Sequence, residues 1–459
     1  MKEHDYMRDP HIIVQNTTDI LDPRQQSGST GVEAHLISHL LARSLHMART
    51  GDVAIASSGI PQDFVTYIRA VTGQDFSVAE FDQEPGVPLF TRDIMGAIDP
   101  ELHAGKVLNP YLQWDSIRNF SEVTDLPNAF SDNEVIESGL VQRANDKAFL
   151  YAQAGGLEIP QVHGQQVLLP SDVPSITADM LREWGGVFIQ GNLSGGGLGN
   201  LDLRYEDGNI YSGKFGQLNA LDLDDELSRW VSRIESLGSN RFIAAPLLNM
   251  HASHTVSGFV PESGDGEPFT YGVFGQVLEP VTHDYAGFKW PAGDALAMEH
   301  GRQMQESTLR WLQFLQDSGY VGPSDLDFLV GSHAKIQNGD RFLGVSESNT
   351  RWDGFRFGMQ HVGAILNANP RNLRGVTGEN SVAIKTLDHV GTRADSTDSI
   401  VSSLKGRVPL FGLDHETEGV VVMVPPNSKG DHYETGIAAI GDDMQRVEAL
   451  HNRACDIIG

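Results

Sequence analysis

Four side chains that could bind a cation or an anion occur around two short apolar runs in the C-terminal half of the sequence. Asp327 lies within the apolar run Leu326–Val330. Glu347, Asn349 and Arg351 follow a second apolar run at every other position. Because successive residues of a β-strand point to opposite sides, alternate positions share one face. The spacing therefore predicts that a carboxylate, an amide and a guanidinium line the same face of one strand.

The Gln-Asn-Gly-Asp segment at 337–340 predicts a turn between the two runs. If the strands pair as a hairpin, Asp327 can face the same space as Glu347 and Asn349. Two carboxylates and an amide oxygen, without thiolate or imidazole, suit a hard cation such as Mg2+ that also holds phosphate oxygens. Arg351 could hold an anionic substrate group or developing negative charge. An ordinary solvent-facing hairpin is the alternative, since acidic side chains mostly occupy exposed positions.

Two stretches that precede this region could bind phosphate. Lys147 stands at the start of a predicted helix that ends near Gly155, and a strand from Gly185 runs into a glycine-rich loop that reaches Asn200. Glycines let backbone N–H groups turn toward one anion without hindrance from side chains. The loop is not a P-loop, because no Lys-Ser or Lys-Thr pair follows at the required spacing. A surface lysine and a flexible surface turn are the alternatives.

The pair Asp327-Phe328, followed by Glu347-x-Asn349-x-Arg351, resembles the magnesium-binding end of ATP-grasp ligases. These enzymes phosphorylate a carboxylate and let a nucleophile, usually an amine, displace the phosphate. The resemblance implies that Asp327, Glu347 and Asn349 bind the metal. It also implies that Arg351 is catalytic and faces the acyl phosphate or the substrate.

The same resemblance implies a nucleotide site in the preceding part of the chain. The implied ATP contacts are Lys147, Gln190, Ser194, Gly195, Gly196, Gly197 and Asn249. Gln190 stands where these ligases carry a second phosphate-binding lysine. The hinge that would meet adenine, 241–249, lacks the acidic residues that family members often have there. Asp325 stands where several members have an arginine.

A further succession of motifs is similar to one subgroup, the peptide ligases typified by the pheganomycin enzyme. It comprises Gln276–Leu278, Tyr285–Gly287 and Trp290–Ala292. A butirosin-pathway ligase that loads an amino acid onto a carrier protein is similar as well. Under this resemblance Lys289 and His283 are candidate substrate contacts. The alternative is a packed strand and turn, because the aromatic residues of these motifs are good core residues.

The elements that must position these residues predict an α+β protein. A chain of 459 residues is long for one core. We expect an N-terminal α/β domain over 1–125, which precedes an ATP-grasp core over 126–368 and a C-terminal peptide-ligase-type extension over 369–459. In the core, two α+β subdomains would clasp the nucleotide. In the first domain, apolar spacing predicts strands at 11–14 and 52–56 and helices over 32–48 and 62–71, and this alternation predicts a small mixed or parallel sheet. Further along the chain it predicts a long helix over 295–318 and a last helix over 442–456.

Composition limits the partners and the compartment. The 33 basic and 61 acidic side chains give a net charge of -28, which repels nucleic acid and anionic membranes. The single cysteine, Cys455, excludes an internal disulfide framework and a cysteine-rich zinc site. The first residues lack the apolar segment of a signal peptide, and no run is apolar enough to span a bilayer. We therefore expect a cytoplasmic protein that binds neither nucleic acid nor membrane.

The resemblance predicts an enzyme that uses ATP and Mg2+. A small-molecule carboxylate would be phosphorylated, and an amine of an amino acid or peptide would displace the phosphate, giving ADP and an amide bond in specialised metabolism. A carrier-protein thiol as nucleophile and a homodimeric assembly remain open. The contrasting hypothesis is a nucleotide-binding or regulatory protein without ligase activity. Gln190, Asp325 and the missing hinge acids favour that alternative, whereas the motif from Asp327 to Arg351 favours the enzyme.

Overall fold

The structure is a computed structural model, and it describes most of the chain. The described residues are 10–14, 42–57, 60–81, 105–193, 199–207, 209–213, 216–218, 222–236, 238–278, 285–336, 339–352, 382–414, 417–429 and 431–459. Within them, none of the helices is long and apolar enough to cross a membrane.

The N-terminal region contains a four-stranded parallel sheet, as the alternation of strands and helices predicted. Its strands, β1 (His11–Val14), β2 (Val53–Ser57), β3 (Ser77–Phe81) and β4 (Val107–Pro110), lie in the order β3-β2-β1-β4. The apolar face of α1 (Gln62–Thr72) is buried, and the helix ends at Gly73, whose φ of 65° suits a residue without a Cβ. Of the helix predicted over 32–48, the part up to 41 lies outside the described residues, and Ser44–Met47 is a short 3-10 helix.

Four helices lead from this sheet toward the candidate site. They are α2 (Asp115–Thr124), α3 (Asn133–Glu137), α4 (Leu140–Ala144) and α5 (Lys147–Ala154). Asp146 caps α5, because its Oδ1 accepts a hydrogen bond from the Ala148 N–H at 2.7 Å. The helix predicted to begin at this point is therefore confirmed, and Lys147 is its first residue.

A six-stranded antiparallel sheet follows, with two helices packed on one face. Its elements are β5 (Gln166–Leu168), α6 (Val173–Trp184), β6 (Gly186–Gly191), β7 (Asn200–Glu206), β8 (Asn209–Ser212), β9 (Gly216–Leu218), α7 (Leu223–Ser236) and β10 (Phe242–Pro246), and a 3-10 helix spans Pro170–Asp172. The strand order is β5-β10-β6-β7-β8-β9. Val187 and Ile189 of β6 pack into the core beneath the helices. Gln190 therefore points to the other face, since neighbouring strand residues alternate.

The last sheet has eight antiparallel strands and carries the candidate metal ligands. The elements of this region are β11 (Asn249–Val260), β12 (Phe269–Leu278), β13 (Tyr285–Trp290), α8 (Ala295–Asp317), β14 (Gly322–Ser332), β15 (Phe342–Asn349), β16 (Ala383–Thr392), α9 (Thr397–Leu404), β17 (Gly419–Lys429), β18 (His432–Gly441) and α10 (Met444–Ile458). The strand order is β15-β14-β11-β12-β13-β16-β18-β17. The long helix predicted from Ala295 is confirmed as α8, and its apolar stripe packs against β11, β12 and β14.

The C-terminal strands belong to the same sheet as the strands before residue 353. β16 pairs with β13, and β18 pairs with β16. The C-terminal region also contacts the N-terminal one: the Val422 N–H donates to the Tyr67 hydroxyl oxygen at 3.0 Å, and the Thr397 N–H donates to Asp63 Oδ2 at 2.7 Å. The domain boundaries at 125 and 368 stay predictions, and the second lies outside the described residues.

Candidate active site

β14 and β15 form the antiparallel pair that the sequence predicted. Asp327 lies opposite Glu347, and Asp325 lies opposite Asn349. Residues directly opposite one another in an antiparallel pair project their side chains to the same side. The register therefore brings three carboxylates and one amide to one face of the sheet, next to its β15 edge.

The amide of Asn349 connects two of these carboxylates. Its Nδ2 donates to Oδ1 of Asp325 at 2.9 Å and to Oδ2 of Asp327 at 3.1 Å. All three side chains are buried: Asp325 is 0% exposed, Asp327 6% and Asn349 9%. Both hydrogens of the amide are thus used, so its Oδ1 is the atom left to accept a further bond.

Asp327 also accepts hydrogen bonds from residues of β11 and β12, the next two strands of the sheet. Gln276 of β12 donates through Nε2 to Asp327 Oδ1 at 2.9 Å and to Thr255 Oγ1 at 2.8 Å. The Thr255 hydroxyl of β11 donates to the same Asp327 oxygen. Ser253 in turn donates to Oε1 of Gln276 at 2.6 Å. Donors on both of its oxygens hold the Asp327 carboxylate in one orientation.

Glu347 forms an ion pair with Lys147, the first residue of α5. The Nζ of Lys147 lies 3.0 Å from Oε2 of Glu347, and Lys147 is only 4% exposed. Burial by itself raises the pKa of Glu347, but the positive charges of Lys147 and Arg351 outweigh that effect and hold the pKa below its ordinary value of 4.5. The carboxylate therefore stays ionised at neutral pH.

Arg351 lies beside the carboxylates, and two other residues hold it. Its Nη1 donates to Oδ1 of Asn145 at 2.7 Å, and its side chain also hydrogen-bonds to Tyr111. Burial opposes its charge, but Tyr111, Glu347 and Asp325 outweigh that effect and raise the pKa of Arg351 further above its ordinary value. The guanidinium is consequently a fixed positive charge at the edge of the site.

The chain just after Arg351 is anchored on the N-terminal sheet. The Trp352 N–H donates to the Tyr111 carbonyl oxygen at 3.0 Å, and its Nε1 donates to Oδ1 of Asn109 at 3.0 Å. Asn109 lies in β4, and Tyr111 follows that strand. The carboxyl end of β4 therefore borders the site, a position where α/β sheets commonly bind ligands.

Asn192 joins the start of α5 to the strands of the six-stranded sheet. This asparagine is fully buried, and its Nδ2 donates to Oδ2 of Asp146 at 2.8 Å. Its Oδ1 accepts from the backbone N–H groups of Asn240 at 3.1 Å and Arg241 at 3.2 Å. The Lys147 N–H also donates to the Asn192 carbonyl oxygen at 3.2 Å. Lys147 is thereby held at the end of β6, where the glycine-rich loop begins.

The structure describes the two ends of the glycine-rich loop. Gln190 at the end of β6 donates through Nε2 to Oδ1 of Asn200 at 3.2 Å. The predicted phosphate contacts Ser194, Gly195, Gly196 and Gly197 lie outside the described residues. The predicted adenine-side residue Asn249 is exposed at the first position of β11. The assignment of these residues to a nucleotide site therefore stays a prediction.

The donor set fits a magnesium ion that a nucleotide helps to bind. Among the described residues, no group of three or more His, Cys, Asp or Glu side chains is arranged to hold a metal ion. Mg2+ usually takes one or two carboxylates and completes its shell with phosphate oxygens and water. Asp327, Glu347 and the amide oxygen of Asn349 match this pattern. The three carboxylates also exceed the two cations beside them, Lys147 and Arg351, by one charge.

Several residues around the site were not identified from the sequence. Thr255 and Gln276 hold Asp327, and Asn145 holds Arg351. Gln276 lies in the motif that resembles the peptide ligases, and the alternating Ser253, Thr255 and Ser257 of β11 signal a polar strand face. Neither pattern indicates which acid the residues contact, because that depends on strand order.

Lys289, one of the two candidate substrate contacts after β12, does not join this cluster. Lys289 forms an ion pair with Glu448 of α10, and it pairs in register with Gly275, whereas Gln276 pairs with Phe288. Lys289 thus lies on the opposite face from Gln276 and Asp327. His283 lies outside the described residues.

Comparisons with known proteins identify similar folds. Biotin carboxylase from Campylobacter jejuni, solved as a complex with beta-gamma-ATP, has a TM-score of 0.54 and 12% identity, with 92% of this chain and 89% of that chain covered. An ADP complex of N5-carboxyaminoimidazole ribonucleotide synthetase has a TM-score of 0.53 and 11% identity, with 98% and 96% covered. The biotin carboxylase domain of Hydrogenobacter thermophilus 2-oxoglutarate carboxylase, solved with MgADP and bicarbonate, has a TM-score of 0.51 and 13% identity, with 88% and 84% covered.

The sequence itself matches no protein-family profile, and no curated protein matches it. The similarity to solved structures extends over nearly the whole chain, although fewer than one residue in seven is identical. The predicted fold class is confirmed: the chain has the ATP-grasp fold with an N-terminal α/β domain.

Proposed function

We propose that this protein is an ATP-dependent ligase that activates a carboxylate as an acyl phosphate and joins it to an amine. The observation that carries the proposal is the cluster of Asp327, Glu347 and Asn349 on one sheet face, with Lys147 and Arg351 beside it. A fold alone does not establish an activity, because one fold can serve many functions. The proposal therefore depends on the chemistry of these five side chains.

The residues present divide into two groups with different tasks. Asp327, Glu347 and the Asn349 amide oxygen would hold Mg2+, which would screen the charge of the triphosphate from that of the incoming carboxylate. Lys147 and Arg351 offer positive charges beside these carboxylates. Lys147 would contact the nucleotide phosphates, and Arg351 would stabilise the negative charge of the phosphorylated carboxylate.

Two bond exchanges make up the proposed reaction. A carboxylate oxygen attacks the γ-phosphorus of ATP, the bond to the bridging oxygen breaks, and ADP leaves. The amine nitrogen then attacks the acyl carbon, inorganic phosphate leaves with the bonding electron pair, and the nitrogen loses a proton. Each amide bond formed would thus accompany one ADP and one phosphate.

The proposed substrates are a small-molecule carboxylate and the amine of an amino acid or peptide, as in peptide ligases of specialised metabolism. This finer assignment depends on the motif residues 276–278, 285–287 and 290–292. Within these motifs, Gln276 donates a hydrogen bond to Asp327, a proposed metal ligand. A carrier-protein thiol in place of the amine is the variant to include in any test.

The test is a substrate screen with the full chain, MgATP and pairs of carboxylates and nucleophiles. We expect ADP and phosphate to be released only when both substrates of a productive pair are present, with the amide detected by mass spectrometry. Release of AMP and pyrophosphate as the stoichiometric products would contradict an acyl phosphate. A Glu347→Gln variant serves as the control for contaminating ATPases.

A second candidate function has one specific observation in its favour. Gln190 offers only neutral donors at a position where a phosphate-binding lysine was expected, and it hydrogen-bonds to Asn200 instead. A nucleotide-binding or regulatory protein without ligase activity would tolerate this change. It would bind MgATP in calorimetry and yet yield no ADP with any substrate pair.

A further inference from the structure

Asp325 has an unusual environment for an aspartate. It is 0% exposed, it lies on the same sheet face as Asp327, and its Oδ1 accepts a hydrogen bond from Nδ2 of Asn349 at 2.9 Å. A buried carboxylate is costly unless hydrogen bonds and charges stabilise it. Arg351 is the nearby cation, because the charge of Asp325 is one of those that raise the arginine's pKa.

Asp325 and Asp327 together determine the orientation of the Asn349 amide. An amide group presents an oxygen at one end and an NH2 at the other, and rotation by half a turn exchanges them. The two hydrogens of Asn349 are donated to Asp325 and Asp327. Since a carboxylate can only accept, the pair of acids excludes the rotated amide, in which an oxygen would face two oxygens.

We propose that Asp325 is a positioning residue that fixes the amide of Asn349 with its oxygen toward the metal position. The proposal rests on the proposed function, because it assumes that Asn349 contributes its oxygen to a bound cation. In this role Asp325 does not contact the cation itself. It acts as the outer partner that orients a ligand, and the loss of such partners typically reduces metal affinity by about 10-fold to 100-fold.

The decisive comparison repeats the Asp325 substitution in a variant protein in which the orientation of side chain 349 no longer matters. In an Asn349→Asp variant both ends of the side chain are oxygens, so rotation cannot remove the ligand. Asp325 then has no amide to orient, and its charge only repels the other carboxylates and attracts Arg351. The loss caused by removing Asp325 should therefore disappear or reverse in this background.

The experiment measures the binding of Mn2+, as a probe for the divalent site, to the full chain saturated with ADP. Free Mn2+ is followed by electron paramagnetic resonance, which needs no turnover. We expect Asp325→Ala to weaken Mn2+ binding by about tenfold in the native background. In the Asn349→Asp background the same change should leave binding unchanged or tighten it.

Two further variants distinguish the orientation of the Asn349 amide from two other effects, the loss of a negative charge and the loss of protein stability. Asp325→Asn removes the charge but keeps an oxygen that can accept from Asn349, so we expect a smaller loss than with Asp325→Ala. Asp388→Asn is the matched control: Asp388 is also buried in the eight-stranded sheet, but it lies in β16, four strands from β14, and pairs with Arg43 at 2.5 Å. It should lower the melting temperature without changing Mn2+ affinity.

The outcomes distinguish this inference from the proposed function. Equal losses from Asp325→Ala in both backgrounds would show that Asp325 acts as a ligand or as a simple charge, and would overturn its positioning role alone. Equal losses from Asp325→Asn and Asp325→Ala would overturn it in the same way. Absence of ADP-dependent Mn2+ binding in the unmodified protein would overturn both the metal site and the role of Asp325.

Discussion

The Nζ of Lys147 and the Oε2 of Glu347 lie 3.0 Å apart. Lys147 is the first residue of α5, and Glu347 lies in β15 at the edge of the eight-stranded sheet. In the proposed reaction, Lys147 would contact a phosphate of ATP, and Glu347 would contact the Mg2+ bound to the same phosphates. In this structure the two side chains form an ion pair, so each charge compensates the other.

Replacement of Lys147 by methionine tests its proposed contact with phosphate. A hydrogen bond to a charged group typically contributes about 1.5–3 kcal/mol, so we expect Lys147→Met to weaken ATP binding by roughly tenfold or more. Isothermal titration with MgATP measures the change. Lys405→Met, at an exposed position after α9, is the control and should bind ATP as the unmodified protein does. Unchanged affinity in a folded Lys147→Met variant would exclude the contact.

Glu347→Gln removes one of the two anionic side chains proposed to hold Mg2+. We expect turnover to fall by roughly two orders of magnitude or more, while the circular dichroism spectrum stays unchanged. Glu418→Gln is a matched control, because Glu418 is exposed to a similar extent, 32% against 31%, and also pairs with a cation, Arg446. Near-native turnover of Glu347→Gln, measured as magnesium-dependent ADP release, would mean that the metal site lies elsewhere.

Gln190→Lys restores the charge that is expected at the end of β6. A charged donor contributes about 1.5–3 kcal/mol against roughly 1 for a neutral one, so ATP should bind several-fold more tightly. Turnover should change little, because a lysine that binds the ground state and the transition state equally lowers the Michaelis constant alone.

Gln217→Lys is the control for this substitution. Gln217 lies in the same sheet and donates to Oδ1 of Asn209 at 3.1 Å, much as Gln190 donates to Asn200 at 3.2 Å. The control should leave ATP affinity unchanged in the same titration. If Gln190→Lys also binds ATP no more tightly, Gln190 does not face the phosphates.

The buried His46 predicts a loss of stability in mild acid. Burial lowers the pKa of His46 to about 4 from its ordinary 6.5, and the hydrogen bond between Nε2 and the Met423 carbonyl oxygen does not offset it. The folded state therefore binds fewer protons than the unfolded state between these pH values. The contribution of His46 is complete above pH 6.5 and is lost as the pH falls toward 4.

Urea unfolding at several pH values measures this effect. We expect His46→Gln, which can still donate to Met423, to reduce the fall in the free energy of unfolding between pH 6.5 and 4 by on the order of 2–3 kcal/mol. His163→Gln, at an exposed position, should leave the pH dependence unchanged. Identical pH profiles for His46→Gln and the unmodified protein would show that His46 is not buried as the neutral form.

The sequence by itself predicted much of the local structure and the central pair of strands. Apolar spacing identified β1, β2, α1, α8 and the C-terminal helix, because the periods of strands and helices are properties of neighbouring residues. The same rule placed Glu347 and Asn349 on one face. The motif from Asp327 to Arg351 also pointed to the fold that the structural comparisons support.

The tertiary structure decided which distant residues meet at that face. Thr255 and Gln276 reach Asp327 because β11 lies beside β14 and β12 lies next to β11, and strand order is not encoded in any local period. Lys147 meets Glu347 because Asn192 holds the start of α5 against β6 and β10. Asp325 illustrates the limit most clearly. Its residue type alone suggested a departure from the family, whereas its contact with Asn349 across the strand pair gives it a proposed role in orienting a metal ligand.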